Sequence, residues 1–224
     1  MVGRRKYEDA CAVAHGLDLV GERWALLVVR ELLLGPKRFT DLLSGLPGAS
    51  PDVLTQRLRE LTEAGVVRRR RLPPPAASWV YELTNWGAEL EPIVLRLAQW
   101  ASRSPGMRYD APIGVDSLVL SLKALFDGPA AEGFTATLGL RLGDQAFRLV
   151  IADGRLEVSR GEPERADAVL DADQATLLTV LRTERPLAEM CDAGSLRLTG
   201  DPAVVERFRR LFPPPQPVPA PDRT

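Results

Sequence analysis

The sequence contains little of what metal sites and disulfide frameworks need. Its 224 residues include two cysteines, Cys11 and Cys191, and one histidine, His15. There is no CxxC pair and no cluster of His and Cys, so we expect neither a zinc site nor a disulfide-stapled fold, and we expect no metal and no cofactor. Two cysteines far apart in the chain suit a reducing compartment.

Long apolar runs are also absent. None approaches the roughly 20 residues that a membrane helix needs, because charged residues interrupt each one. The first nine residues lack the apolar stretch of a signal peptide. We therefore predict a cytoplasmic protein with no membrane partner. A content of 45% hydrophobic and 26% charged residues is typical of globular domains.

Charge is unevenly distributed, although the net charge is only −1. Residues 1–103 carry 15 Lys and Arg against 12 Asp and Glu, whereas residues 104–224 carry 14 against 18. A mildly basic front half and an acidic rear half indicate different partners. The asymmetry is too small to establish DNA binding, so the clustering of cations matters more than their total.

Helix signals dominate the first hundred residues. Residues 22–34 are almost continuously apolar and end at Gly35-Pro36, and shorter helices are expected over residues 9–19 and 39–44. The clearest helix begins at Ser50, a good N-cap, followed by Pro51 in the first helical position. Leucines at positions 54, 58 and 61 give it one apolar face, and Ala64-Gly65 ends it.

A two-stranded hairpin is expected next. Four consecutive arginines, residues 68–71, precede three prolines at 73–75, and Trp79-Val80-Tyr81 then resumes a β-type pattern. Thr84 caps a further helix that runs to about Ser102 and should be kinked at Pro92. This order of helices, capped helix, arginine-rich hairpin and helix is that of a winged helix-turn-helix.

The capped helix and the hairpin carry the candidate contacts to double-stranded DNA. Short polar side chains on a helix can enter a major groove, and its N-terminus attracts phosphate. A polar helix face is usually just solvated, but successive arginines in a strand repel one another unless an anion is near. The candidate contacts are Lys37, Arg38, Ser50, Asp52, Thr55, Gln56, Arg57, Arg59, Arg68, Arg69, Arg70 and Arg71.

Residues 11–102 resemble the HxlR-type family of winged-helix regulators. The resemblance is carried by Gly21-Glu22-Arg23-Trp24, by residues 35–42 and 54–61, by Ala64-Gly65-Val66-Val67 and by Tyr81-Glu82-Leu83-Thr84. It implies a homodimer on a pseudo-palindromic operator. The apolar face of the last helix then forms either the dimer surface or part of the subunit's own core; this face comprises Trp86, Leu90, Ile93, Val94, Leu97 and Trp100.

The resemblance also bears on one cysteine. Family members often carry a Cys-Pro near the start that senses redox or electrophiles, but Ala12 follows Cys11 here. The alternative for Cys11 is a buried, inert side chain.

Beyond a linker-like stretch at 103–112 the chain becomes α+β. We expect helices over 115–126, 173–181, 186–192 and 201–212, with strands over 134–142, 145–152, 155–159, 168–170 and 196–198. The fold class is therefore α+β: a mostly helical winged helix-turn-helix with a two-stranded wing, then an antiparallel sheet with helices. The predicted domains are residues 1–105 and 112–212, with a disordered proline-rich tail at 213–224. The rear half lacks a nucleophile–base pair and a phosphate loop, so we do not expect an enzyme.

The rear half is similar to sterol-carrier-protein-type domains. Residues 168–181 and 187–212 carry this resemblance, which covers about residues 112–212. It implies an apolar tunnel for a lipid-like ligand. Any of the candidate lining residues could instead be ordinary core. The candidates are Phe126, Phe134, Leu138, Phe147, Leu149, Leu178, Met190 and Phe208.

The sequence thus favours a homodimeric transcriptional regulator, more readily a repressor than an activator, that responds to an apolar small-molecule effector. Two alternatives stay open. The rear domain could be a dimerisation scaffold with a filled core. Or the protein could be a lipid or small-molecule carrier whose winged helix serves only for dimerisation, which would leave the four arginines at 68–71 unexplained.

Overall fold

Most of the helices and strands expected from the sequence form in the structure, a computed structural model that describes residues 7–219. The chain divides into two units, Met1–Val94 and Leu95–Thr224. The division falls within a helix, ahead of the expected linker at 103–112. Within residues 7–219, no helix is long and apolar enough to cross a bilayer.

The first unit is mainly helical and carries a two-stranded sheet. Its elements are α1 (Ala12–Val20), α2 (Ala25–Leu32), α3 (Phe39–Gly45), α4 (Pro51–Glu63), β1 (Val67–Arg71), β2 (Trp79–Leu83), α5 (Asn85–Ala88) and α6 (Glu91–Ser102), the last of which ends in the second unit.

Helix α4 forms for the reasons that its sequence indicates. Ser50 Oγ accepts a hydrogen bond from the backbone N–H of Val53 at 3.3 Å, which satisfies one of the free donors of the first turn. Leu54, Leu58 and Leu61 are each at most 1% exposed and join the core beneath the helix. The opposite side of α4 is left exposed to solvent.

The segment after Thr84 differs from the prediction. The single kinked helix expected to run to about Ser102 is wrong, because the chain forms two helices, α5 and α6, that are separated at Glu89 and Leu90. Pro92 lies in the first turn of α6 rather than in its interior. A proline is tolerated there, since the N–H that it lacks would have no partner within the helix.

The second unit is α+β. It contains α7 (Val115–Leu125), a short 3₁₀ turn (Pro129–Ala131), β3 (Ala136–Leu142), β4 (Gln145–Ala152), β5 (Arg155–Arg160), β6 (Ala168–Ala172), α8 (Gln174–Arg182), α9 (Leu187–Asp192), β7 (Arg197–Gly200) and α10 (Pro202–Arg209).

The five strands of this unit form one sheet in the order β5-β4-β3-β6-β7. All neighbours are antiparallel except β3 and β6, which are parallel. The α+β class is confirmed, but the sheet is mixed rather than purely antiparallel. Residues 161–167 cause this, because they carry the chain from the edge strand β5 to the far side of β3, where β6 starts in the direction of β3.

The proline-rich end of the chain is described as far as residue 219. Residues 213–219 form no helix or strand. The backbone N–H of Val218 donates to Arg103 O at 2.8 Å, and Arg103 Nε donates to Gln216 O at 3.3 Å. This part of the predicted disordered tail is thus bonded to the segment after α6, while residues 220–224 lie outside the described residues.

Candidate nucleic-acid interface

The exposed face of α4 carries four of the predicted DNA contacts. Asp52, Thr55, Gln56 and Arg59 are all solvent-exposed and lie along the side opposite the buried leucines. Arg59 Nε donates to Glu63 Oε1 at 2.8 Å, and Gln56 Nε2 donates to Glu60 Oε1 at 2.7 Å. Exposed pairs of this kind are weak, so a phosphate or a base edge can displace them.

Arg57, also predicted to contact DNA, occupies a different environment. Its side chain is only 11% exposed and forms an ion pair with Glu60, while Glu22 lies 3.7 Å from its second terminal nitrogen. Glu22 precedes α2, so its contact with Arg57 connects α4 to the segment before α2. This placement favours a structural role for Arg57.

Lys37 is likewise held within the fold. Its Nζ pairs with the carboxylate of Glu31, which is 2% exposed, and Arg30 bonds to the other oxygen of that carboxylate at 2.8 Å. The backbone of Lys37 also forms an isolated antiparallel bridge with Tyr81, which ties the segment before α3 to β2 of the wing. The buried carboxylate requires these cations, because an unpaired buried charge is costly. Lys37 is therefore placed to fix the wing rather than to meet phosphate.

Arg38, next in the chain, is exposed. Its Nε donates to Ser78 Oγ at 3.2 Å, so the side chain reaches from the start of α3 to the tip of the wing. A guanidinium in this position can exchange its neutral partner for a phosphate.

The four arginines of the wing alternate between two environments. Arg68 Nε and Arg70 Nε donate to the two carboxylate oxygens of Glu82, at 2.8 and 2.6 Å. On the other face, the guanidinium of Arg69 lies 4.5 Å from the Trp79 ring centroid. Arg71 Nε donates to Ala77 O at 3.2 Å. Within the described residues 7–219, only Arg68 and Arg70 of these four arginines have an anionic partner.

Glu82 is the residue that inspection of the sequence missed. It lies directly across from Arg68 in the β1–β2 register and is 8% exposed. Burial opposes its charge, but the hydrogen bonds from Arg70 and Arg68, together with their positive charges, outweigh burial and lower the pKa of Glu82. Glu82 relieves the expected repulsion between neighbouring arginines, and the hairpin keeps a net charge of +3 from four arginines and one glutamate.

The turn between α3 and α4 is supported by Trp24. This residue stands just before α2 with a φ of 77°, a left-handed conformation that is rare for a large side chain. A Cβ placed on Gly48 would lie 3.7 Å from the Trp24 ring, and Gly48 itself has a φ of 94°. Trp24 thus lies against the turn that sets the start of α4.

Apolar side chains are exposed on α1, α5 and α6. Val13 is 70% exposed, Leu17 45%, Trp86 51% and Ile93 56%. Leu90 and Val94 instead pack on the core, and Leu97 and Trp100 are exposed further along α6. The predicted apolar face therefore divides into a core part and an exposed part. A groove of about 200 Å³ lies among Gly16, Leu19, Val20, Val66, Trp86, Glu89, Leu90 and Ile93.

Cys11 immediately precedes α1 and is exposed rather than buried. The backbone N–H groups of Ala14 and then Val13 lower the pKa of its thiol. Within residues 7–219, no group of three or more His, Cys, Asp or Glu side chains is arranged to hold a metal ion.

Comparison with known proteins identifies the first unit. Residues 19–107 match the family model described as HxlR-like helix-turn-helix. An uncharacterised HTH-type transcriptional regulator of Synechocystis sp. is 37% identical over 92 residues, which cover 41% of this chain and 68% of that protein. The HTH-type regulator YvaP of Bacillus subtilis is 38% identical over 86 residues, covering 38% and 80%.

The chain belongs to the HxlR family of helix-turn-helix transcriptional regulators. The family resemblance read from the residues around Trp24, α4 and the wing is confirmed, and so is the winged helix-turn-helix fold of the first unit. DNA binding follows for an HxlR-type regulator as a property of the family.

The second unit matches a different family. Residues 115–218 match the model described as alkyl sulfatase C-terminal. The sec-alkylsulfatase Pisa1 from Pseudomonas sp. is 23% identical with a TM-score of 0.42, over 45% of this chain and 16% of the sulfatase chain. At that similarity the comparison carries no functional conclusion. The matching family is described as alkyl sulfatase C-terminal and not as sterol carrier protein. The resemblance of this unit to sterol-carrier-protein-type domains therefore stays a prediction.

The predicted ligand-pocket residues of the second unit are mostly core. Six of the eight are at most 9% exposed: Phe134, Leu138, Phe147, Leu149, Met190 and Phe208. Leu178 lines an apolar groove of about 230 Å³, and Phe126 lines a second, more open groove. Tyr109 and Pro213–Pro215, which sequence inspection assigned to a linker and a tail, also line the apolar groove.

Proposed function

We propose that this HxlR-family regulator binds a pseudo-palindromic operator in double-stranded DNA as a homodimer and acts as a repressor. The observation that carries the proposal is the pairing of an exposed polar face on α4 with a wing of net charge +3. Helix α4 enters the major groove, where Thr55 and Gln56 read base edges. Arg38 and the wing arginines lie on the flanking phosphates, which position the protein without reading sequence.

The exposed apolar side chains of α1, α5 and α6 support the dimer. Val13, Leu17, Trp86 and Ile93 are each between 45% and 70% exposed. Contiguous exposed apolar surface marks an interaction site. A two-fold axis through such a surface would place two copies of α4 on successive major-groove faces, which is why the operator is expected to be pseudo-palindromic.

The second unit is proposed to bind an apolar or amphipathic effector. An effector can change operator occupancy only if it binds the DNA-competent and DNA-incompetent states with different affinity. The apolar groove supports a binding role for this unit. The same groove would also suit a carrier protein, the alternative in which the winged helix serves only for dimerisation, but that alternative gives the wing arginines no role.

The proposal is tested by fluorescence anisotropy with a duplex from upstream of the protein's own gene and a scrambled duplex of equal composition. We expect the upstream duplex to bind at least about 1,000-fold more tightly, the lower end of the usual ratio of specific to non-specific affinity. Sedimentation should show a dimer that the Trp86→Ser/Ile93→Ser variant dissociates. Equal affinity for both duplexes would contradict operator binding, and a monomeric wild type would contradict the homodimer.

A further inference from the structure

The apolar groove of the second unit is built from elements far apart in the sequence. Leu118 and Leu122 of α7, at most 2% exposed, line it. Leu178 and Leu181 of α8 and Pro213–Pro215 also belong to its lining. Its volume of about 230 Å³ is below the ~300 Å³ at which pockets for drug-sized ligands begin. A single acyl or alkyl chain suits this groove better than a ligand of several fused rings.

One cation stands at the edge of this apolar lining. Arg182, the last residue of α8, is exposed, and its guanidinium lies 5.1 Å from the centroid of the Tyr109 ring, which also lines the groove. Among the residues that the structure describes, no carboxylate pairs with Arg182, and no acidic side chain lines the groove. A positive charge beside an apolar groove complements a ligand with an apolar chain and an anionic head.

We propose that this groove binds a single-chain amphiphile with an anionic head group. The chain lies along Leu118, Leu122 and Leu178, and the head group accepts hydrogen bonds from the Arg182 guanidinium. This inference rests on the proposed ligand response and names the chemical class of the effector.

Because Pro213–Pro215 line the groove, ligand binding should also restrain the segment to which these prolines belong. This segment has no helix or strand and is bonded to Arg103, the residue directly after α6. A chain bound in the groove adds apolar contacts to these prolines and restrains the segment. Occupancy should therefore protect the segment around Pro213–Pro215 from cleavage by a protease.

The test is isothermal calorimetry of the full chain with sodium dodecanoate, kept below its aggregation concentration. Dodecanol and dodecyltrimethylammonium serve as uncharged and cationic probes of equal chain length. We expect dodecanoate to bind the wild type most tightly of the three. Arg182→Gln should weaken dodecanoate about fivefold and leave dodecanol unchanged, since an exposed charge pair contributes modestly.

Two further variants keep the test decisive. Arg185→Gln removes a neighbouring exposed arginine that pairs with Glu189 and does not line the groove, so it should bind dodecanoate as the wild type does. Ser121→Phe fills the groove from α7 and should abolish binding while leaving the circular dichroism spectrum unchanged. Equal binding of all three probes, or unaltered binding by Ser121→Phe, would overturn the proposal.

The same samples separate this inference from the proposed function. If dodecanoate binds in the groove but leaves operator affinity unchanged, the site stands and the ligand response fails. If operator affinity responds to dodecanoate equally in the wild type, Arg182→Gln and Ser121→Phe, the response stands and the groove is not its site.

Discussion

Helix α4 and the wing are adjacent in sequence but use charge in opposite ways. Helix α4 carries Asp52, Glu60 and Glu63 against Arg57 and Arg59, a net charge of −1, whereas the β1–β2 hairpin has a net charge of +3. In the proposed mode of binding, long-range attraction to DNA comes from the wing, and α4 contributes shape and hydrogen-bonding groups. The difference predicts that affinity and sequence preference can be altered separately.

The largest effect is expected from the exposed face of α4. The Thr55→Ala/Gln56→Ala variant removes base-reading groups from both subunits, and each such contact discriminates by roughly 1–3 kcal/mol. Four lost contacts at about 1 kcal/mol each, the low end of that range, should lower affinity for the upstream duplex about 1,000-fold, with little change for the scrambled duplex. Thr62→Ala, also exposed on α4 but bonded through Oγ1 to Leu58 O, is the matched control and should bind normally. An equal loss on both duplexes would mean that α4 acts through phosphate.

The next largest effect is expected on stability, from a substitution where α5 packs against the start of the hairpin. A Cβ on Gly87 would lie 2.0 Å from the backbone oxygen of Val66, so α5 approaches the start of β1 too closely for any larger residue. Gly87→Ala should destabilise the first unit by about 1–3 kcal/mol in urea unfolding. Gly106→Ala, whose Cβ would meet only Ser104 Oγ at 3.8 Å, should change stability little. Equal stability of the two variants would contradict the close approach.

A smaller effect is expected at Glu82. Glu82→Gln releases Arg68 and Arg70 from their anionic partner, so affinity for the scrambled duplex should rise about two- to fivefold, with a steeper dependence on salt. Glu63→Gln, which releases only Arg59 on α4, should have less effect. If both variants changed affinity for the scrambled duplex equally, the claim that the wing and not α4 attracts DNA electrostatically would be contradicted.

The smallest expected effect is on pH dependence. The pKa of Glu82 is lower in the folded chain than in the unfolded one, so the stability it contributes is present above its unfolded pKa of about 4.3 and is lost as the pH falls through the folded value. The stability difference between the wild type and Glu82→Gln should shrink as the pH falls below about 4. If the difference in stability between the wild type and Glu82→Gln stayed constant down to pH 3, titration of Glu82 could not be its cause.

Features encoded locally could be predicted from the sequence. The Ser50 cap, the leucines of α4 and the arginine run of β1 each lie within a dozen residues, and the structure has them where the pattern indicated. Their exposed neighbours Thr55 and Gln56 follow from the same periodicity.

Features that depend on distant pairing could not be predicted. The pairing of Arg57 with Glu22 depends on how α4 packs against the segment before α2, and that of Lys37 with buried Glu31 on the path of the chain after α2. Nothing in the spacing of these residues indicates either pair. The parallel pairing of β3 and β6 depends on the path of residues 161–167. The apolar groove depends on Tyr109 and on prolines assigned to a tail, since the predicted lining was chosen from apolar positions in strands and helices that form the core instead.

The most direct test of the account is the salt dependence of operator binding. The Arg69→Gln/Arg71→Gln variant removes two wing cations and leaves the pairs of Glu82 intact; Arg197→Gln, exposed in the second unit, is the control. Each lost phosphate contact lowers the slope of log affinity against log salt by about 1, so a dimer should lose about 2–4 from its slope while Arg197→Gln loses none. An unchanged slope in the wing variant would contradict the claim that this regulator holds DNA through its wing.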